Sequence, residues 1–142
     1  MLIAVNAGNS RVLLGGYEED GQVFSASIAT EPKLTRDDYA CKLQQVLLLY
    51  GVNVRRIHGG IVSSVVPSMV GVLEGALRLL GIRDVIEVSS GVKTGLNIRS
   101  EQPRQVGSDR VAAAVAARAK GKLPCVAVTL GTATTFTALD GS

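Results

Sequence analysis

The first glycine turn of this chain joins two strands, and that connection constrains the fold more than any other feature. Residues 2–6 (Leu-Ile-Ala-Val-Asn) read as a short buried strand, Gly8-Asn9-Ser10 as a turn, and residues 11–17 as a second strand. Glu18-Glu19-Asp20-Gly21 signals another turn, and residues 22–29 form a third strand with partial alternation. Three strands joined by tight turns make an antiparallel meander. A doubly wound nucleotide fold places a helix directly after its first glycine turn. The strand found there excludes that fold.

The pattern then changes to alternating helices and strands. Thr35 is a good N-cap with Asp37 and Asp38 in the first turn after it. Tyr39, Leu43, Val46, Leu47 and Tyr50 recur at helical spacing until Gly51 stops the helix, which puts Tyr39 and Tyr50 in the core. Ile57–Val66 is a β-branched run, and Pro67 suits the first turn of a helix over about 67–80. Asp84–Val88 reads as a short buried strand, and residues 91–104 as a polar loop carrying Lys93, Arg99 and Arg104. Ser108 or Asp109 opens an alanine-rich helix to Lys120. Leu123–Leu130 is a buried strand, residues 131–134 a tight turn and residues 135–139 a returning strand. The sum is an α/β fold, a mixed sheet with helices packed on it.

Composition narrows the class. With 142 residues, 46% apolar and 19% charged, the chain forms one globular domain. No apolar run approaches the ~20 residues of a membrane span. The start lacks a basic stretch and does not read as a signal peptide. Cys41 and Cys125 have no metal-ligand neighbours in sequence and read as two reduced core thiols of a cytoplasmic protein. The net charge of +3 is scattered, with no basic helix or aromatic–basic stripe, so small anions are better partners than nucleic acid. His58 reads as a surface residue at a strand end.

Three segments could carry chemistry. In Asn6-Ala7-Gly8-Asn9-Ser10 the glycine lets backbone N–H groups approach an anion, and Asn9 and Ser10 add donors; taken alone, the same residues read rather as an ordinary type I′ hairpin turn. Leu130-Gly131-Thr132-Ala133-Thr134 repeats the scheme of strand, glycine turn with hydroxyls, and strand. Gly107-Ser108-Asp109-Arg110 stands where a loop enters a helix. There a carboxylate could accept a hydroxyl proton and a guanidinium could clamp a carboxylate, although a routine helix start has the same residues. Gly91-Val92-Lys93-Thr94-Gly95 lacks the order of a Walker loop.

In this order and spacing, Gly8-Asn9-Ser10, Ile28-Ala29-Thr30, Ser63–Pro67, Gly91–Leu96, Gly107–Arg110 and Gly131–Thr135 resemble type III pantothenate kinases. These belong to the superfamily of acetate and sugar kinases, chaperone ATPases and actin. The resemblance implies a ribonuclease H-like (actin-like ATPase) lobe, with residues 1–142 as the single N-terminal lobe of a two-lobe kinase. It implies that Asn6, Gly8, Asn9, Ser10, Arg11, Gly131, Thr132 and Thr134 contact ATP. It further implies that Ser100, Gly107, Ser108 and Arg110 hold pantothenate, with Asp109 as general base. Magnesium with the ATP and a monovalent cation such as potassium are implied as well.

The chain departs from the family pattern at particular positions. Asn6 and Thr129 stand where the family has aspartates, the first placing the metal–nucleotide complex and the second binding the monovalent cation. Ser100 stands where the family often has Tyr. The family chain also continues for roughly another lobe. The expectation is therefore a chain inactive by itself, completed by a second-lobe or full-length kinase chain in a homo- or hetero-oligomer. A non-catalytic regulatory subunit and a truncated product are the alternatives.

Overall fold

In a computed structural model the described residues are 1–89 and 91–141, with Arg104 described by its backbone alone; the expectations for the Arg104 side chain and for Ser142 lie outside them. The chain forms two compact units, Met1–Glu87 and Val88–Ser142.

The first unit is built on a five-stranded sheet in the order β3-β2-β1-β4-β5. β1 (Leu2–Ala7), β2 (Arg11–Glu18) and β3 (Gly21–Ala29) form the anticipated antiparallel meander. β4 (Gly59–Ser64) runs parallel to β1, and β5 (Val85–Glu87) parallel to β4. Strand alternation sends Ile3, Val5, Val12, Leu14 and Val62 into one core with Tyr39, Leu43 and Leu47 of α1 (Arg36–Leu49) and Met69, Leu73 and Leu77 of α2 (Pro67–Leu79). A reciprocal capping box starts α1: the Asp38 N–H donates to Thr35 Oγ1 at 3.3 Å, and the Thr35 N–H donates to Asp38 Oδ2 at 2.9 Å. Glycines at positive φ end both helices. At Gly51 (φ 68°) the Val52 N–H reaches the Leu47 carbonyl, and at Gly81 (φ 89°) the Ile82 N–H reaches that of Leu77. Val52 and Ile82 are thereby turned back into the core. This mixed sheet and its helices form a ribonuclease H-like (actin-like ATPase) lobe.

In the second unit a long loop with one 3-10 turn at Pro103–Gln105 leads into α3 (Ser108–Lys120). β6 (Cys125–Leu130) and β7 (Thr134–Leu139) follow as a separate two-stranded antiparallel sheet, with Cys125 opposite Leu139 and Leu130 opposite Thr134. α3 packs against both strands and buries Val111 and Ala114.

Several sequence expectations need correction. The β-branched run is strand only over Gly59–Ser64, because Asn53 caps a 3-10 turn at Val54–Arg56 that delivers Ile57 to the core before the strand begins. β5 and β6 are not buried: Ile86, Val126, Val128 and Leu130 are exposed. Apolar composition marks a strand, but the cover over it comes from elsewhere in the chain. Cys41 is exposed and Cys125 half-buried, so neither is a core thiol. Tyr39 is in the core, whereas Tyr50, at the α1 C-cap, is exposed and lies over Phe24 with ring centroids 5.1 Å apart. His58 is exposed just before β4, as expected. No helix among the described residues is long and apolar enough to cross a membrane.

Candidate active site

The first glycine turn is tied down by its neighbours. The Gly8 N–H donates to the Arg11 carbonyl at 2.9 Å, and Thr30 donates through its N–H to the Ser10 carbonyl at 3.0 Å and through Oγ1 to that of Gly8 at 2.8 Å. A type I′ turn needs positive φ at both central residues. No non-glycine among the described residues has positive φ, so Asn9 and Ser10 exclude that reading. A Cβ at position 8 would lie 3.3 Å from the Arg11 carbonyl oxygen, which favours glycine there. Since the Gly8 N–H is already engaged, the exposed Asn9, Ser10 and Arg11 form the solvent-facing part of the turn. Asn6 precedes it on β1, in register between Leu13 and Ser63. Its Oδ1 is buried and has no hydrogen-bond partner among the described residues. An acceptor in that state favours an incoming donor.

The second glycine turn is more open. Thr129, Gly131, Thr132 and Thr134 are all exposed, and the Gly131 N–H donates to the Ala133 carbonyl at 3.3 Å. Thr129 stands opposite Thr135, whose Oγ1 is buried without a partner among the described residues.

The start of α3 is shaped by Gly107, the N-cap, which makes no side-chain cap bond. Its carbonyl accepts from the Arg110 and Val111 N–H groups, both at 3.1 Å. The half-buried Asp109 folds back over it: a Cβ on residue 107 would lie 2.5 Å from Asp109 Oδ1. Only glycine leaves that space to the carboxylate. Ser108 is buried. Arg110 reaches β7, its Nε donating to Thr137 Oγ1 at 3.5 Å and its Nη2 to the Phe136 carbonyl at 3.4 Å.

Beside this helix face lies a cavity of about 550 Å³, within the size range of small-molecule sites. Ser100 and Arg110 line it; Gly107, Ser108 and Asp109 do not. Sequence reasoning missed three of its polar members as site residues: Arg99, Arg118 and Asp140. Arg118 was within reach of a periodicity argument, because it lies eight positions after Arg110 on the same helix face. Arg99 and Asp140 form an ion pair at 3.7 Å, a contact between distant segments with no local signal.

The site residues thus fall into two groups. Asn6, Gly8, Asn9, Ser10 and Arg11 belong to the first unit, while Ser100, Gly107–Arg110, Thr129, Gly131, Thr132 and Thr134 belong to the second. No cluster of three or more His, Cys, Asp or Glu side chains able to hold a metal occurs among the described residues. Asn6 and Thr129 offer a cation neutral oxygens alone.

The sequence profile of a family described as type III pantothenate kinase matches residues 2–142. A curated type III pantothenate kinase of Syntrophotalea carbinolica is 40% identical over 136 residues, covering 96% of this chain and 53% of that protein. Those of Geobacter sulfurreducens and Geotalea daltonii are each 37% identical over 137 residues, with the same coverage of 96% and 53%. The chain spans about half the length of these relatives.

Proposed function

The chain belongs to the type III pantothenate kinase family, and we propose that it forms the N-terminal lobe of an enzyme transferring the ATP γ-phosphoryl group to pantothenate in cytoplasmic coenzyme A synthesis. The observation that carries the reading is the start of α3. There a carboxylate, Asp109, folds over a glycine next to an arginine, Arg110, that lines a ligand-sized cavity. In this mechanism Asp109 accepts the proton of the pantothenate hydroxyl as its oxygen attacks the γ-phosphorus. Arg110 holds the pantothenate carboxylate, with Ser100, Gly107 and Ser108 around the substrate. Asn9, Ser10, Arg11, Gly131, Thr132 and Thr134 meet the phosphates, and the unpartnered Asn6 Oδ1 receives a donor from the nucleotide complex. Phosphoryl transfer depends chiefly on positioning and on stabilising developing charge. Magnesium and potassium are the ions the family implies. The residues here do not build a charged site for either, so no step is assigned to them.

The remaining half of the fold comes from further polypeptide, either in the same chain or from a second one. Residues 1–142 alone are expected to phosphorylate no detectable pantothenate, and robust turnover by that purified segment would refute this. In a two-lobe enzyme carrying this lobe, Asp109→Asn is expected to lower kcat by about 10²–10⁴-fold, with little change in KM for pantothenate. Arg110→Met is expected chiefly to raise that KM. An unchanged kcat in the Asp109 variant removes the general-base assignment. A second reading, a non-catalytic subunit supporting a complete kinase, is favoured by the neutral Asn6 and Thr129. If restoring Asn6→Asp and Thr129→Asp together in the two-lobe enzyme leaves activity unchanged, the missing charges do not account for any deficit.

A further inference from the structure

α3 turns Arg110, Val111, Ala114 and Arg118 toward one cavity. Arg110 and Arg118 are eight positions apart, which is about 12 Å along the helix axis at ~1.5 Å per residue. The Arg110 end carries the Thr137 hydroxyl; at the other end an Arg118 Nη1 donates to the Gly95 carbonyl. Val111 and Ala114 of the helix, together with Leu96 and Leu139, supply apolar lining to the same cavity. Among the described residues, neither Arg110 nor Arg118 faces a carboxylate in its hydrogen bonds: the acceptors are a hydroxyl and backbone carbonyls. Arg99 is paired with Asp140. Among the described residues lining the cavity, three guanidinium groups meet one carboxylate, which leaves two positive charges uncompensated.

We propose that this cavity binds an elongated dianion, a molecule with an acidic group at each end and an apolar middle. Charge-assisted hydrogen bonds from guanidinium to carboxylate or phosphate are the strong ones, and a ligand spanning both ends makes two sets of them. A ligand with a single carboxylate occupies the Arg110 end and leaves Arg118 without an anionic partner. The dianion preference itself rests on the cavity and stands or falls separately from the kinase assignment.

The test compares sebacate with decanoate, linear acids of equal chain length carrying two carboxylates and one. Binding to residues 1–142 is measured at low ionic strength by calorimetry and by amide chemical-shift changes. Sebacate is expected to bind about tenfold more tightly, the factor that one added charge-assisted contact supplies. Arg118→Met is expected to abolish that preference while leaving decanoate affinity unchanged, and Arg118→Lys to retain part of it. Equal affinity for the two acids in the unaltered chain, no binding of sebacate, or equal weakening of both acids by Arg118→Met each overturns the proposal. The first comparison needs no variant, and none of these measurements involves ATP or pantothenate.

Discussion

In the first hairpin β1 lies between β2 and β4, and β2 lies between β1 and β3, so both strands are paired on each side. In the second, β6 and β7 have only each other. The two segments look alike in sequence: an apolar strand, a glycine with a hydroxyl close by, and another strand. Yet Val5 and Val12 are buried, whereas Val126 is 59%, Val128 52% and Phe136 66% exposed. Alternation and turn residues specify a hairpin locally. Whether its faces are covered depends on what the rest of the chain brings to them. A two-stranded sheet is marginal by itself, and β6–β7 relies on α3 against one of its faces.

The largest test of that contrast removes matched apolar side chains. Leu73 is fully buried among α1, α2 and the sheet, so Leu73→Ala is expected to cost about 2–5 kcal/mol. Val128→Ala, on the exposed face of β6, is expected to stay within about 0.5 kcal/mol. Urea unfolding followed by resolved amide signals measures both, and comparable losses would mean that the outer face of β6–β7 is covered in solution. Glycines give the next effect. The Phe24 ring occupies the space where a Cβ on Gly16 would sit, so Gly16→Ala is expected to cost about 1–3 kcal/mol. At Gly131 the nearest atom to an added Cβ is the Ala133 carbonyl oxygen at 3.6 Å, and φ is not positive, so Gly131→Ala is expected to change stability by less than about 0.5 kcal/mol. A tolerated Gly16→Ala would show that Phe24 can leave that position freely.

The same division runs through what could be read from the sequence. Helix spacing from Tyr39 to Leu47, the Thr35 cap, Gly51 and Pro67 all work through residues a few positions away, and each does in the fold what its local chemistry dictates. Burial of β5 and β6 was not legible because it depends on distant cover. The type I′ alternative at Asn9-Ser10 failed for a similar reason, since Thr30, more than a strand away, braces both Gly8 and Ser10. At the candidate site, Asp109 and Arg110 stood out as a chemical pair at a helix start. The bond from Arg110 to Thr137 spans 27 positions, and that of Arg118 to Gly95 spans 23. Neither leaves a trace in composition or spacing.

The smallest expected effect separates the two units at their helix starts. α1 begins with the reciprocal Thr35–Asp38 cap, whereas the N-cap of α3 is Gly107, which has no side chain to accept from the first turn. Hydrogen bonds from the Thr35 side chain and then from its backbone N–H hold the Asp38 carboxyl below its ordinary value, with a smaller contribution from Lys42. A carboxylate whose folded value is lowered stabilises the fold above its unfolded value of about 3.9, and that contribution is lost as pH falls through the folded value. Asp38→Asn is therefore expected to lower the urea midpoint of the first unit slightly at pH 7, by less than Gly16→Ala does. The difference from the unaltered chain should shrink as pH drops below about 4. The second unit's signals should show no such pH-dependent difference. A loss of equal size at both pH values would mean that Asp38 acts through the shape of its hydrogen bonds rather than its charge, and the contrast between the two helix starts would then be steric.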